Sequence, residues 1–91
     1  MTDAHKSKIK LNLKKANGQL RLLEKMVDEN RYCIDVAQQV NATIGLLKKI
    51  NDFILENHLL TCGAKKLNSK RKNERVDFTH ELMKAFTLNN R

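Results

Sequence analysis

The sequence predicts an all-α protein, on three observations. With no proline and only three glycines in 91 residues, long helices meet no breaker and a turn-rich β fold is disfavoured. Apolar residues recur at alternating spacings of three and four over two long stretches, the period of an amphipathic helix. Hydrophobic residues make up 41% and charged ones 31%, a balance that suits a folded chain rather than a disordered one. The length allows one domain, spanning residues 1–91.

A first helix is predicted over about 6–27. Ile9, Leu13, Ala16, Leu20, Leu23 and Val27 form its seam, and Lys6, Lys10, Lys14, Arg21 and Lys25 give it a basic back. Asp28-Glu29-Asn30 ends the pattern, with Asn30 as the expected N-cap of the next helix. A second helix is predicted over about 31–62. Its seam is Cys33, Ala37, Val40, Ile44, Leu47, Asn51, Ile54 and His58, and Leu46, Ile50, Phe53 and Leu60 add a second apolar face. Gly63 is the expected stop, and residues 64–72 read as a polar linker. A third helix over about 74–87 would be capped by Asn73, with Val76, Leu82, Met83 and Phe86 in the core.

The middle helix is too long for a monomer. Thirty residues span about 45 Å, whereas a compact chain of this size is about 30 Å across. One of its two faces calls for the first helix and the other for a second copy, most simply a two-fold dimer forming an antiparallel four-helix bundle. Cys33 and His58 lie about 38 Å apart along one straight helix. Antiparallel pairing about residues 46 and 47 would place Cys33 beside the partner's His58 and Cys62, with Gly45 near the crossing.

His58-Leu59-Leu60-Thr61-Cys62 sets an imidazole and a thiol one turn apart on one face. With Cys33 from the other chain, the donors are two sulfurs and one nitrogen, a set suited to Cu(I) rather than to four-coordinate structural zinc. A cysteine on a helical seam also serves as a small buried hydrophobe, and a histidine near a helix C-terminus as a favourable charge. No recognised nucleophile, metalloprotease or nucleotide-binding motif is present, so the chain reads as a non-enzyme.

Eighteen Lys and Arg against ten Asp and Glu give a net charge of +8, which points to a polyanionic partner. The cations concentrate at Lys6, Lys8, Lys10, Lys14, Lys15 and Arg21, and again at Lys65, Lys66, Lys70, Arg71, Lys72 and Arg75. Duplex DNA is favoured over RNA, because Tyr32, Phe53, Phe78 and Phe86 are too few for a stacking platform. No apolar run approaches a membrane span, and two cysteines suit a reducing, cytoplasmic setting.

Lys15-Ala16-Asn17-Gly18-Gln19, Arg31-Tyr32-Cys33 and the run from Asn51 to Cys62 together resemble the CsoR/RcnR-type metal-sensing repressors, and in particular their copper-sensitive operon repressor branch. The resemblance covers nearly the whole chain. It implies a helical dimer that pairs into a tetramer, a dimer of dimers, binds operator DNA without metal and releases it when Cu(I) binds Cys33, His58 and Cys62 between protomers. It further implies that Tyr32 and Glu81 link the metal site to the third helix, and that the first helix meets DNA, with Lys14, Lys15, Gln19 and Arg21 as the contacts beside Lys70 and Arg71 of the linker. Lys15 stands where relatives have arginine, and Asn12 where a second basic residue is common. His5 lies near, but out of register with, the N-terminal histidine of nickel and cobalt sensors. Other readings in the same fold are a sensor of Ni(II), Co(II) or reactive sulfur; outside it, a copper carrier with no DNA role.

Overall fold

Helices account for nearly all of the protein in a computed structural model that describes residues 1–86. They are α1 (Asp3–Asp28), α2 (Cys33–His58), a π-helical turn (Leu59–Gly63), α3 (Ala64–Leu67) and α4 (Lys72–Phe86), with no strand among the described residues. The all-α expectation holds. The expected helix end at residue 87 lies outside the described residues.

Local chemistry sets the helix ends and corrects several expectations. Helix α1 begins earlier than its apolar pattern suggests, because Thr2 caps it: the Thr2 hydroxyl accepts from the His5 backbone N–H at 3.1 Å. Asn30 is not an N-cap. It takes a left-handed φ of 56°, and the N–H groups of Asn30 and Arg31 donate to the carbonyls of Val27 (3.1 Å) and Met26 (2.9 Å). That pair of hydrogen bonds closes α1 as a Schellman motif, for which asparagine is the usual substitute for glycine. The α2 N-cap falls on Tyr32, whose side chain makes no capping bond.

Gly63 does not stop the second helix. Its φ of −70° and ψ of −32° are helical, and the rod runs on through α3. Residues 33–67 thus form one helical segment interrupted only by the π turn, and the linker shrinks to 68–71. Asn73 does not cap α4, which begins at Lys72. Ser69 organises the entry instead: its hydroxyl bonds the Glu74 carboxylate and accepts from the Arg71 N–H at 3.2 Å, while its carbonyl accepts from the Arg75 guanidinium.

Helices α1 and α2 form an antiparallel hairpin, tied at its open end where the Thr2 N–H donates to Asn57 Oδ1 at 2.9 Å. On α1 the inward residues are His5, Ile9, Asn12, Ala16 and Met26, with Gln19 and Leu23 half-buried. On α2 they are Thr43, Ile50 and Asn57, with Val36, Gln39, Leu46 and Phe53 half-buried. The pairing seam is therefore not the one read from hydrophobicity alone. Leu13, Leu20 and Val27 sit outside it, Leu20 being 53% exposed. On α2, Cys33, Ala37, Val40, Ile44 and Leu47 face outward in the same way, and Leu47 is 48% exposed.

The expected core of the third helix is also displaced. Val76 and Met83 are exposed, Leu82 and Phe86 half-buried, and the buried residue is Phe78, with 1% exposure. The molecule is a rod of 58 × 28 × 12 Å with a radius of gyration of 17.5 Å, well above the roughly 12 Å of a compact chain this long.

Candidate metal centre and basic face

Cys33 is the first residue of α2 and His58 its last, so about 38 Å of helix separates them. Cys62 lies in the π turn, four residues beyond His58. The fold thus keeps His58 and Cys62 together at one end of the hairpin and leaves Cys33 at the other. Among the described residues no three His, Cys, Asp or Glu side chains are gathered as a metal site within one chain.

The donor chemistry nevertheless fits a soft metal. Both cysteines are free thiols and exposed, and no hydrogen bond engages the His58 ring among the described residues. Cys33 opens the outward stripe of α2 that the hairpin leaves uncovered, Cys62 is exposed in the π turn, and His58 between them is half-buried against Phe78. One end offers an imidazole and a thiol, the other a thiol. A second copy lying antiparallel would supply what one end lacks.

The π turn has its own local causes. Thr61 donates its hydroxyl to the Asn57 carbonyl at 2.8 Å, taking an acceptor that an α-helical amide would use. Phe78 then seats against the turn. Its ring lies 5.4 Å from the His58 ring at a tilt of 43°, and the Lys66 ammonium stands 5.6 Å above it. A Cβ added to Gly63 would fall 2.8 Å from Phe78 Cζ and 2.9 Å from the His58 carbonyl, so glycine is what lets the ring approach. Sequence reasoning takes Gly63 as a stop and Phe78 only as one aromatic among four. The available signal is a glycine inside a helical pattern, which marks a close approach.

Tyr32 is exposed beside Cys33. Glu81 lines a groove with Lys66, Glu74, Asp77 and Phe78 at the opposite end of the rod. A single chain does not bring Tyr32 and Glu81 together. A Cβ at Gly45 would meet nothing within 4 Å, so that residue faces open space in the protomer.

Lys14, Lys15 and Arg21 project from α1 into solvent, and none is engaged in an ion pair among the described residues. Gln19 is half-buried, its Oε1 accepting from Thr43 Oγ1 at 3.0 Å. Lys70 and Arg71 are exposed in the short linker, with Arg71 3.7 Å from Glu74. His5 Nδ1 lies 2.6 Å from Thr2 Oγ1, while the buried Nε2, 3.3 Å from Glu56 Oε1, has no hydrogen-bond partner among the described residues.

Residues 5–87 match a protein-family model described as metal-sensitive transcriptional repressor. The copper-sensing transcriptional repressor CsoR of Bacillus subtilis is 30% identical over 82 residues, covering 90% of this chain and 81% of its own length. The copper-sensing transcriptional repressor RicR of Mycobacterium tuberculosis is 34% identical over 67 residues, or 68% of this chain and 70% of the relative. CsoR of Mycobacterium ulcerans is 34% identical over 65 residues, covering 71% and 56% respectively. No solved structure matches.

Proposed function

This chain belongs to the metal-sensitive transcriptional repressors, and from that membership we propose that it senses copper(I), binding operator DNA without metal and releasing it with metal. The family is one of repressors, not of enzymes. The relatives in Bacillus subtilis and Mycobacterium tuberculosis are copper-sensing, and the donor set here has the matching softness. One observation carries the reading: the exposed free thiol of Cys33 and the His58–Cys62 pair lie at opposite ends of the α2 rod, which only an antiparallel second copy would bring together.

In this reading two protomers pair their α2 stripes antiparallel into a four-helix bundle. Cys33 of one chain joins His58 and Cys62 of the other, and two dimers assemble into a tetramer. Large hydrophobic side chains remain exposed along the protomer, Val40, Ile44 and Leu47 of α2 among them; burying them would supply the driving force. Copper(I) brings a soft centre content with few ligands, which two thiolates and one imidazole suit. Tyr32, beside Cys33, and Glu81, beside Phe78, would then flank the same site from the two chains.

Lys14, Lys15, Arg21, Lys70 and Arg71 present the positive charge that meets the phosphates of the duplex. Gln19 keeps its amide NH2 for DNA while Thr43 holds its oxygen. No described helix is long and apolar enough to cross a membrane, and the site of action in this reading is the cytoplasm.

An anaerobic titration tests the reading by following copper stoichiometry and operator-DNA anisotropy in one cuvette. One Cu(I) per protomer with concurrent loss of DNA affinity is expected, and Cys33→Ala should remove both. Tight copper binding with no DNA binding would point to a copper carrier instead, while DNA release by nickel, cobalt or persulfide but not by copper would reassign the effector.

A further inference from the structure

Phe78 is more deeply buried than any other large side chain among the described residues, on a helix that is otherwise mostly exposed. Helix α4 does not run along the hairpin; it packs chiefly against α3. The Phe78 ring reaches past α3 to the π turn, tilted on His58, seated over Gly63 and covered by the Lys66 ammonium. One aromatic ring of the helix that succeeds the basic linker therefore touches a candidate metal ligand.

We propose that Phe78 is the positioning residue that couples the state of His58 to α4, and through α4 to Lys70, Arg71, Lys72 and Arg75. This rests on the reading of His58 as a metal ligand. The coupling is steric. Close-packed groups shift together rather than deform, and with the ring centroids 5.4 Å apart a turn of the imidazole toward a donor from the other chain presses on the Phe78 ring. Gly63 closes the far side, because the ring already occupies the space a Cβ would need. When His58 turns and the ring follows, α4 with its cations goes with it. Phe78 itself touches neither metal nor DNA.

The test uses the full-length parent protein, Phe78→Leu and Gly63→Ala, the last keeping the aromatic ring but pushing it from its seat. Three quantities are measured: Cu(I) affinity by chelator competition, DNA affinity with and without Cu(I), and the His58 ring-proton resonances in metal-free protein, which sense the Phe78 ring current. Phe78→Leu should keep Cu(I) affinity and metal-free DNA affinity within about threefold of the parent, while the copper-induced loss of DNA affinity shrinks at least about tenfold; Gly63→Ala, whose Cβ also crowds the His58 carbonyl, should shrink that loss as well. A merely structural role would lower metal-free DNA affinity instead. Variants as copper-responsive as the parent would overturn the coupling and leave the copper reading standing. A parent that ignores copper would overturn both. His58 resonances without a ring-current shift in the parent would overturn the packing itself, whatever the variants do.

Discussion

Thr43 donates its hydroxyl to Gln19 Oε1 at 3.0 Å midway along the hairpin, and the same hydroxyl reaches the Gln39 carbonyl at 3.0 Å. Hydrogen bonds of this kind cross between the arms of the hairpin, from Thr43 to Gln19 and from the Thr2 N–H to Asn57 Oδ1, whereas the buried Asn12 donates to the Lys8 carbonyl of its own helix. A slide by one turn would break both crossing bonds, at about 0.5–1.5 kcal/mol each. A double-mutant cycle with Gln19→Ala and Thr43→Val should return a coupling of about 1 kcal/mol by urea denaturation. Strict additivity would show that the bond contributes nothing.

Asn30 carries the left-handed turn that closes α1. Replacing it with alanine should cost about 1 kcal/mol or less, because alanine lacks the short polar side chain that eases this conformation for asparagine. Asn30→Gly should be neutral or mildly stabilising. The two midpoints in a chemical melt provide the check, and equal midpoints would contradict the turn.

The outward stripe of α2 is expected to hold the assembly together. Leu47→Asp places a charge in each copy of a symmetric interface and should lose more than the roughly 1.5–3 kcal/mol of one buried leucine. Sedimentation should shift to the mass of a single chain of 10.5 kDa. An unchanged mass would move the interface elsewhere.

Complementation can tell a shared site from a private one. Cys33→Ala and Cys62→Ala should each bind no tight copper. Mixed and re-annealed, they should recover one site per heterodimer, because one pairing restores a full donor set. Recovery of none would require all three donors from the same chain.

Lys14→Ala and Lys15→Ala should weaken operator and random DNA alike. Each phosphate contact removed should flatten the slope of log affinity against log salt by about 1. An unaltered slope would take α1 out of the interface.

Much of this molecule is legible without coordinates. Missing proline and the three-four apolar period predict the helices, and a rod longer than any globule of 91 residues predicts surplus apolar surface. The His58–Cys62 spacing and the distance to Cys33 come from helix geometry alone. Boundaries are less legible: Asn30 and Gly63 are ordinary cap and stop residues, and only their φ values tell which role they take.

What the sequence by itself determined is therefore the kind of element, its length, and the presence of two apolar faces. Tertiary structure decided which face each helix turns inward. Two interleaved stripes share one period on each helix, and hydrophobicity draws both toward burial, so it cannot rank them. The choice falls to groups that tolerate burial only with a partner. Gln19 has Thr43, Asn57 has the Thr2 amide, and Phe78 has the space Gly63 leaves, and no spacing along a single chain announces any of these meetings.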